Sequence, residues 1–147
     1  MPIVSATRLR VRGLLHFPAF FVATNRSKGQ AERSKGFLAG QLVIDRGRVF
    51  WTVTVWRDLE AMRAYRNSGA HLAAMRKIGS WCDEAATATW DQADAGMPSL
   101  DEVGRRMVAE GRAVKLPHAS RAHLSSEGPM PPRPRAIQGM RARPPSP

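Results

Sequence analysis

Residues 37–56 read FLAGQLVIDRGRVFWTVTVW. β-Branched and aromatic residues crowd 37–45 and 48–56, and Arg46-Gly47 separates them, so this stretch is expected to form a β-hairpin. On the second strand Trp51, Val53 and Val55 point one way, and Phe50, Thr52, Thr54 and Trp56 point the other. Neither set suits plain solvent. If helices cover one face, the second apolar face calls for a partner sheet, which predicts a homodimer packed sheet to sheet.

The flanks extend this pattern in both directions. IVSATRLRVR (3–12) alternates, with Ile3, Ser5, Thr7, Leu9 and Val11 on one face and Val4, Ala6, Arg8, Arg10 and Arg12 on the other. That is a strand. FPAFFVATNRSKGQAER (17–33) has proline in a first helical turn and Phe20, Phe21, Thr24 and Ala31 at helical spacing, closed by Ser34-Lys35-Gly36. After the hairpin, Asp58 is placed to cap a helix carrying Leu59, Met62 and Tyr65, which Asn67-Ser68-Gly69 stops. A restarted segment bears Leu72, Met75, Ile78 and Trp81, and EAATATWDQ (84–92) alternates as a fourth strand. Ser99-x-x-Glu102 has capping-box spacing ahead of a third helix that Gly111 ends, and RAVKL offers a short further strand. The order is that of an α+β, ferredoxin-like βαββαβ domain with an additional C-terminal helix, its helices expected on one face of the sheet.

The chain has 147 residues, 43% of them hydrophobic, enough for one core. No run of 18 apolar residues and no apolar leader segment is present, so a cytoplasmic protein with no membrane span is expected. Cys82 is alone, which excludes an internal disulfide, and no Cys/His spacing suits zinc. It reads as a buried thiol with no chemical role. Net charge is +11, which raises nucleic acid as a partner. Yet from Lys115 onward six basic residues face one acid, and that stretch holds eight of the eleven prolines and no aromatic residue. We therefore expect a domain over 1–118 and a disordered, basic, Pro/Arg-rich tail over 119–147 whose loss leaves the core intact. Nucleic-acid binding through that tail is the third and least favoured reading. Dinucleotide, phosphate-loop, zinc-protease and α/β-hydrolase motifs do not occur.

From 30 to 75, with Gly36-Phe37, Gly40, FWTVTVW and AMRAYRNSGAH as the matching elements, the sequence resembles the antibiotic biosynthesis monooxygenase-like superfamily of dimeric α/β barrels. Its spheroidene monooxygenase-like branch and related uncharacterised proteins are the nearest. The resemblance runs over about 3–110. It implies a small dimer with an apolar pocket in each subunit, and monooxygenase-like oxidation of a hydrophobic or aromatic molecule. Members work without a cofactor or with haem, so the cofactor expected here is either none or haem, and a non-catalytic haem-binding or small-ligand protein is the alternative.

His71 is the candidate catalytic residue. At the start of the restarted helix the positive end of the dipole disfavours imidazolium, and a neutral ring accepts a proton or, in the alternative, ligates haem iron. The competing structural reading is a histidine packed at the helix break. Trp56, at the end of its strand, is a candidate for stacking on the ligand, against core packing as the ordinary use of tryptophan. Arg8 and Arg10 are candidates for pairing with an acidic ligand group or a haem propionate, against simple solvation.

Overall fold

The computed structural model describes residues 1–120 and 132–143. In chain order it contains β1 (Ile3–Val11), a 3₁₀ turn (Leu14–His16), α1 (Phe17–Arg33), β2 (Phe37–Asp45), β3 (Val49–Trp56), α2 (Leu59–Arg66), α3 (Gly69–Met75) and α4 (Ile78–Trp81). β4 (Cys82–Asp91), α5 (Leu100–Glu110), β5 (Arg112–Ala113) and β6 (Pro134–Arg141) follow. The sheet order is β5-β4-β1-β3-β2-β6, with every pair antiparallel. Its central 4-1-3-2 arrangement is the ferredoxin-like order that the element sequence implies.

Local chemistry sets the boundaries. Asp58 caps α2 by accepting from the Ala61 N–H at 2.8 Å, and Ser99 Oγ accepts from the Glu102 N–H at 3.2 Å to start α5. The hairpin turns through 46–48, where Gly47 and Arg48 both have positive φ. Ser27-Lys28-Gly29 lies inside α1, as the helical reading of 17–33 requires.

Helices cover both faces of the sheet, not one. α1, α2, α3 and α4 lie over Ile3, Leu9, Phe50 and Trp56, while α5 lays Val103 and Met107 on Val4, Ala6, Trp51, Val53, Val55 and Trp90. Trp51, Val53 and Val55 are fully buried within the single chain. The apolar face that argued for a partner sheet is therefore closed by the chain's own α5, and this ground for a homodimer is removed. A capping-box helix 43 residues beyond the hairpin carries no mark in its sequence of which face it covers.

The expected disorder of 119–147 is likewise corrected over the part that is described. Pro134–Arg141 forms β6, an edge strand in register with β2 from Ala39↔Arg141 to Asp45↔Pro134. Only Met140 is buried along it, so composition gave no warning. Backbone pairing supplies the docking, and Glu32 of α1 completes it. That buried carboxylate accepts from the Arg141 N–H at 3.0 Å, lies 3.2 Å from Lys28 Nζ and 3.7 Å from Arg143 Nε, and its backbone carbonyl accepts from the Arg143 N–H at 2.6 Å. Residues 121–131 and 144–147 lie outside the described residues.

Candidate functional site

Alternation of β1 and β3 places Ser5 beside Thr54 and Thr7 beside Thr52 on the face beneath α1. A cavity of about 90 Å³, partly open, sits between this hydroxyl floor and the helices. Its roof is mostly apolar, built from Phe20, Ala23, Ala74, Met75, Ile78 and Trp81, with Leu9, Leu42 and Met140 at the sheet. Thr54 Oγ1 is engaged, accepting from Trp56 Nε1 at 2.9 Å and reaching the Ser5 carbonyl at 3.4 Å. The hydroxyls of Ser5, Thr7 and Thr52 make no protein hydrogen bond among the described residues, which leaves them available to a ligand.

His71 lines this cavity. Its position follows from the break between α2 and α3. Gly69 adopts φ +58, and Gln30 of α1 reaches across to the turn, donating from Nε2 to the carbonyls of Ser68 (2.9 Å) and Tyr65 (3.2 Å) and accepting the His71 N–H at 2.7 Å. The His71 ring lies on Tyr65, with centroids 4.6 Å apart, and Nδ1 is 3.1 Å from the Arg66 carbonyl. A carbonyl only accepts, so Nδ1 carries the proton in the neutral ring and Nε2 is left as the acceptor. Burial holds the imidazole below its ordinary pKa; the Arg66 carbonyl opposes this, and the Arg66 charge adds to it. His71 thus joins both sequence readings, packing the helix break and facing the cavity.

The other expected site residues are placed elsewhere. Arg8 and Arg10 project from the opposite face of β1, beneath α5, where Arg8 Nη1 pairs with Glu84 Oε2 at 3.0 Å and stands 5.9 Å from the Trp51 ring. Arg10 lies 3.8 Å from Asp83 and 3.7 Å from Glu84. Both are structural ion pairs across the sheet from His71, and neither reaches this cavity. Trp56 is fully buried one layer behind it, stacked on Tyr65 at 5.0 Å and edge-on to Phe37 at 5.3 Å. It holds Tyr65 and Thr54 in place and does not line the cavity. Cys82 is buried, its thiol pushed up to about 12 by burial and by Asp83, which leaves it without a nucleophile's ionisation.

Two lining residues escaped the sequence reading. Lys28 faces the cavity from α1, and Tyr65 donates its hydroxyl to the Ser27 carbonyl at 3.2 Å. Thr24, Ser27, Lys28 and Ala31 share one helical face, so Lys28 was recoverable from the same 3.6-residue spacing that marked Thr24 and Ala31. As for haem, a cavity of about 90 Å³ is far smaller than a porphyrin, and the two expected propionate partners lie on the other face. The residues present do not fit that group. Among the described residues no cluster of three or more metal-binding side chains occurs, and no helix is long and apolar enough to cross a membrane.

Comparison with known proteins bears on the fold as a whole. The solved structure of SnoaB, a cofactor-independent oxygenase from Streptomyces nogalater, is similar at a TM-score of 0.54 and 17% identity, over 67% of this chain and 98% of that one. Rv0793 from Mycobacterium tuberculosis is similar at 0.59 and 15%, over 66% and 100%. A conserved protein from Methanosarcina mazei is similar at 0.57 and 9%, over 63% and 93%. No curated protein sequence matches. The antibiotic biosynthesis monooxygenase family model matches residues 21–77, the span from α1 through α3 that builds part of the cavity roof and carries Lys28 and His71. With that match over less than half of the chain and the ferredoxin-like sheet around it, the chain is similar to antibiotic biosynthesis monooxygenase domains.

Proposed function

We propose that this protein is a monooxygenase-like enzyme that oxidises a small, electron-rich hydrophobic or aromatic molecule in the cavity beside His71. The observation that carries this reading is a neutral imidazole with Nδ1–H fixed on the Arg66 carbonyl and Nε2 free to accept, at the wall of an apolar cavity with a hydroxyl floor. A ring tuned in this way suits a general base near neutral pH. His71 takes a proton from an acidic O–H or C–H of the substrate. The Lys28 ammonium stabilises the resulting anion, and Ser5, Thr7 and Thr52 orient its oxygens. An electron-rich anion then supplies the electrons for attack on dioxygen, so that a methylene becomes a carbonyl with release of one water. SnoaB, a cofactor-independent oxygenase of the same fold, supports a reaction of this class.

The test is oxygen uptake by purified protein with an electron-rich hydroxyaromatic probe. Uptake that is lost in His71→Gln, in a variant that melts like the wild type, supports the reading; uptake undiminished in that variant removes His71 as the base. The second reading is a non-catalytic small-ligand protein, favoured by the engagement of His71 N–H, Nδ1 and ring face in holding the α2–α3 break. Saturable binding of the probe without turnover would establish it. A homodimer is proposed on the resemblance alone and is read by sedimentation at micromolar concentration. A cytoplasmic location belongs to the same proposal.

A further inference from the structure

Leu14 and Leu15 are 73% and 93% exposed, and nothing in the core uses them. They begin an outward stripe that continues along α1 through Pro18, Phe21 (38% exposed) and Val22 (52%) at the three- and four-residue spacing of one helical side. The stripe has a stiff backing. Phe17 stacks on Phe21 at 5.6 Å, Phe20 meets Phe50 at 4.9 Å, and Trp81 closes the cluster edge-on to Phe20 at 6.4 Å.

Cations surround it. Arg12 donates to the Ser80 carbonyl at 2.8 Å and Arg48 to the Val11 carbonyl at 2.8 Å, which fixes both at the end of the sheet where the leucines emerge. Arg46 in the neighbouring hairpin turn and Arg76 and Lys77 ahead of α4 are exposed at the same end. The acids there face other groups: Asp45 accepts from Trp51 Nε1 at 3.1 Å and from the Arg46 N–H at 2.7 Å, and Asp83 lies 3.8 Å from Arg10. Between Arg12 and Ala31 the sequence has no acidic residue.

We infer that this end of the molecule docks on an anionic lipid bilayer, with Leu14 and Leu15 entering the acyl boundary and the arginines and lysine meeting the headgroups. The charge argues for a bilayer as occupant, because exposed apolar tips at the start of a helix with a basic rim are what an anionic interface binds. The docking holds whatever chemistry the cavity performs. It also places the aromatic wall that Phe20 and Trp81 contribute to the cavity beside the lipid, where apolar ligands concentrate.

The test uses the full chain and vesicles of one part phosphatidylglycerol to three parts phosphatidylcholine, compared with phosphatidylcholine alone, by flotation. The wild type binds the anionic vesicles and is released by high salt. Replacing Leu14 and Leu15 together by serine lowers the partition coefficient about tenfold or more, with an unchanged melting temperature because both side chains are exposed. Arg46→Gln with Lys77→Gln weakens binding and its salt dependence. Absence of wild-type binding overturns the inference. Equal binding by the serine variant also overturns it, assigning attraction to charge elsewhere, such as β6. A dimer in sedimentation that the serine variant loses overturns it too, because a second copy would then be the occupant.

Discussion

Replacing Gly69 by alanine tests how the helix break that presents His71 is held. A left-handed φ costs an L-residue about 1–2 kcal/mol, and the stiffer unfolded chain changes the balance by about 0.4–1 kcal/mol. Gly47, at φ +69 with nothing within 4 Å of an added Cβ, reports that backbone contribution by itself. Gly47→Ala is therefore expected to destabilise by about 1 kcal/mol. At Gly69, φ +58, an added Cβ comes within 3.0–3.1 Å of three atoms of the Gln30 amide. The amide must move, and it is the group that binds the Ser68 and Tyr65 carbonyls and the His71 N–H. Each such bond has a net worth of about 1 kcal/mol, so weakening them brings Gly69→Ala to about 2–3 kcal/mol. At about 2–4 °C per kcal/mol, circular-dichroism melts should fall about 5–10 °C for Gly69→Ala against about 2–4 °C for Gly47→Ala. Imidazole resonances should show the His71 pKa rising toward the ordinary value as burial is lost. Equal melting losses in the two variants would refute the idea that Gln30 fixes the break.

Because the folded-state pKa of His71 is depressed, the unfolded chain takes up that proton first as pH falls. Its contribution is full above about pH 6.5 and is lost progressively below it; in acid melts His71→Gln should flatten this slope. Glu32 has the same sign at lower pH. Burial alone would raise its pKa, but the Arg141 N–H, Lys28 and Arg143 together leave it lowered, so its stabilising effect is present above the ordinary carboxylate pKa and fades as pH falls through the depressed one. Glu32→Gln should release β6 to limited proteolysis at neutral pH. Deleting 119–147 removes β6 and exposes the site of Met140, a loss of about 2 kcal/mol or more, read as a drop of several degrees in melting temperature. Arg8→Gln is expected to cost about 2 kcal/mol through Glu84, with probe affinity unchanged; a large loss of affinity would return Arg8 to the site.

The ferredoxin-like order was legible because each element announces itself locally. Period-2 alternation marks β1, β3 and β4, capping residues Asp58 and Ser99 start helices, and Gly69 sits where the chain turns left-handed. His71 was legible for the same reason, as a titratable residue beside a visible break. What a residue faces is a different kind of fact, set by which distant element packs over it. Alternation put Arg8 and Arg10 together on one face, but only the docking of α5 made that face the one remote from the cavity. Trp56 lies on the cavity side, yet Tyr65 and Thr54 stand between it and the cavity. β6 left no apolar pattern because an edge strand can dock through backbone hydrogen bonds, which every sequence can make, and one buried methionine. Sequence by itself determined the local conformations and their order; tertiary packing decided which faces meet, because burial depends on partners far along the chain.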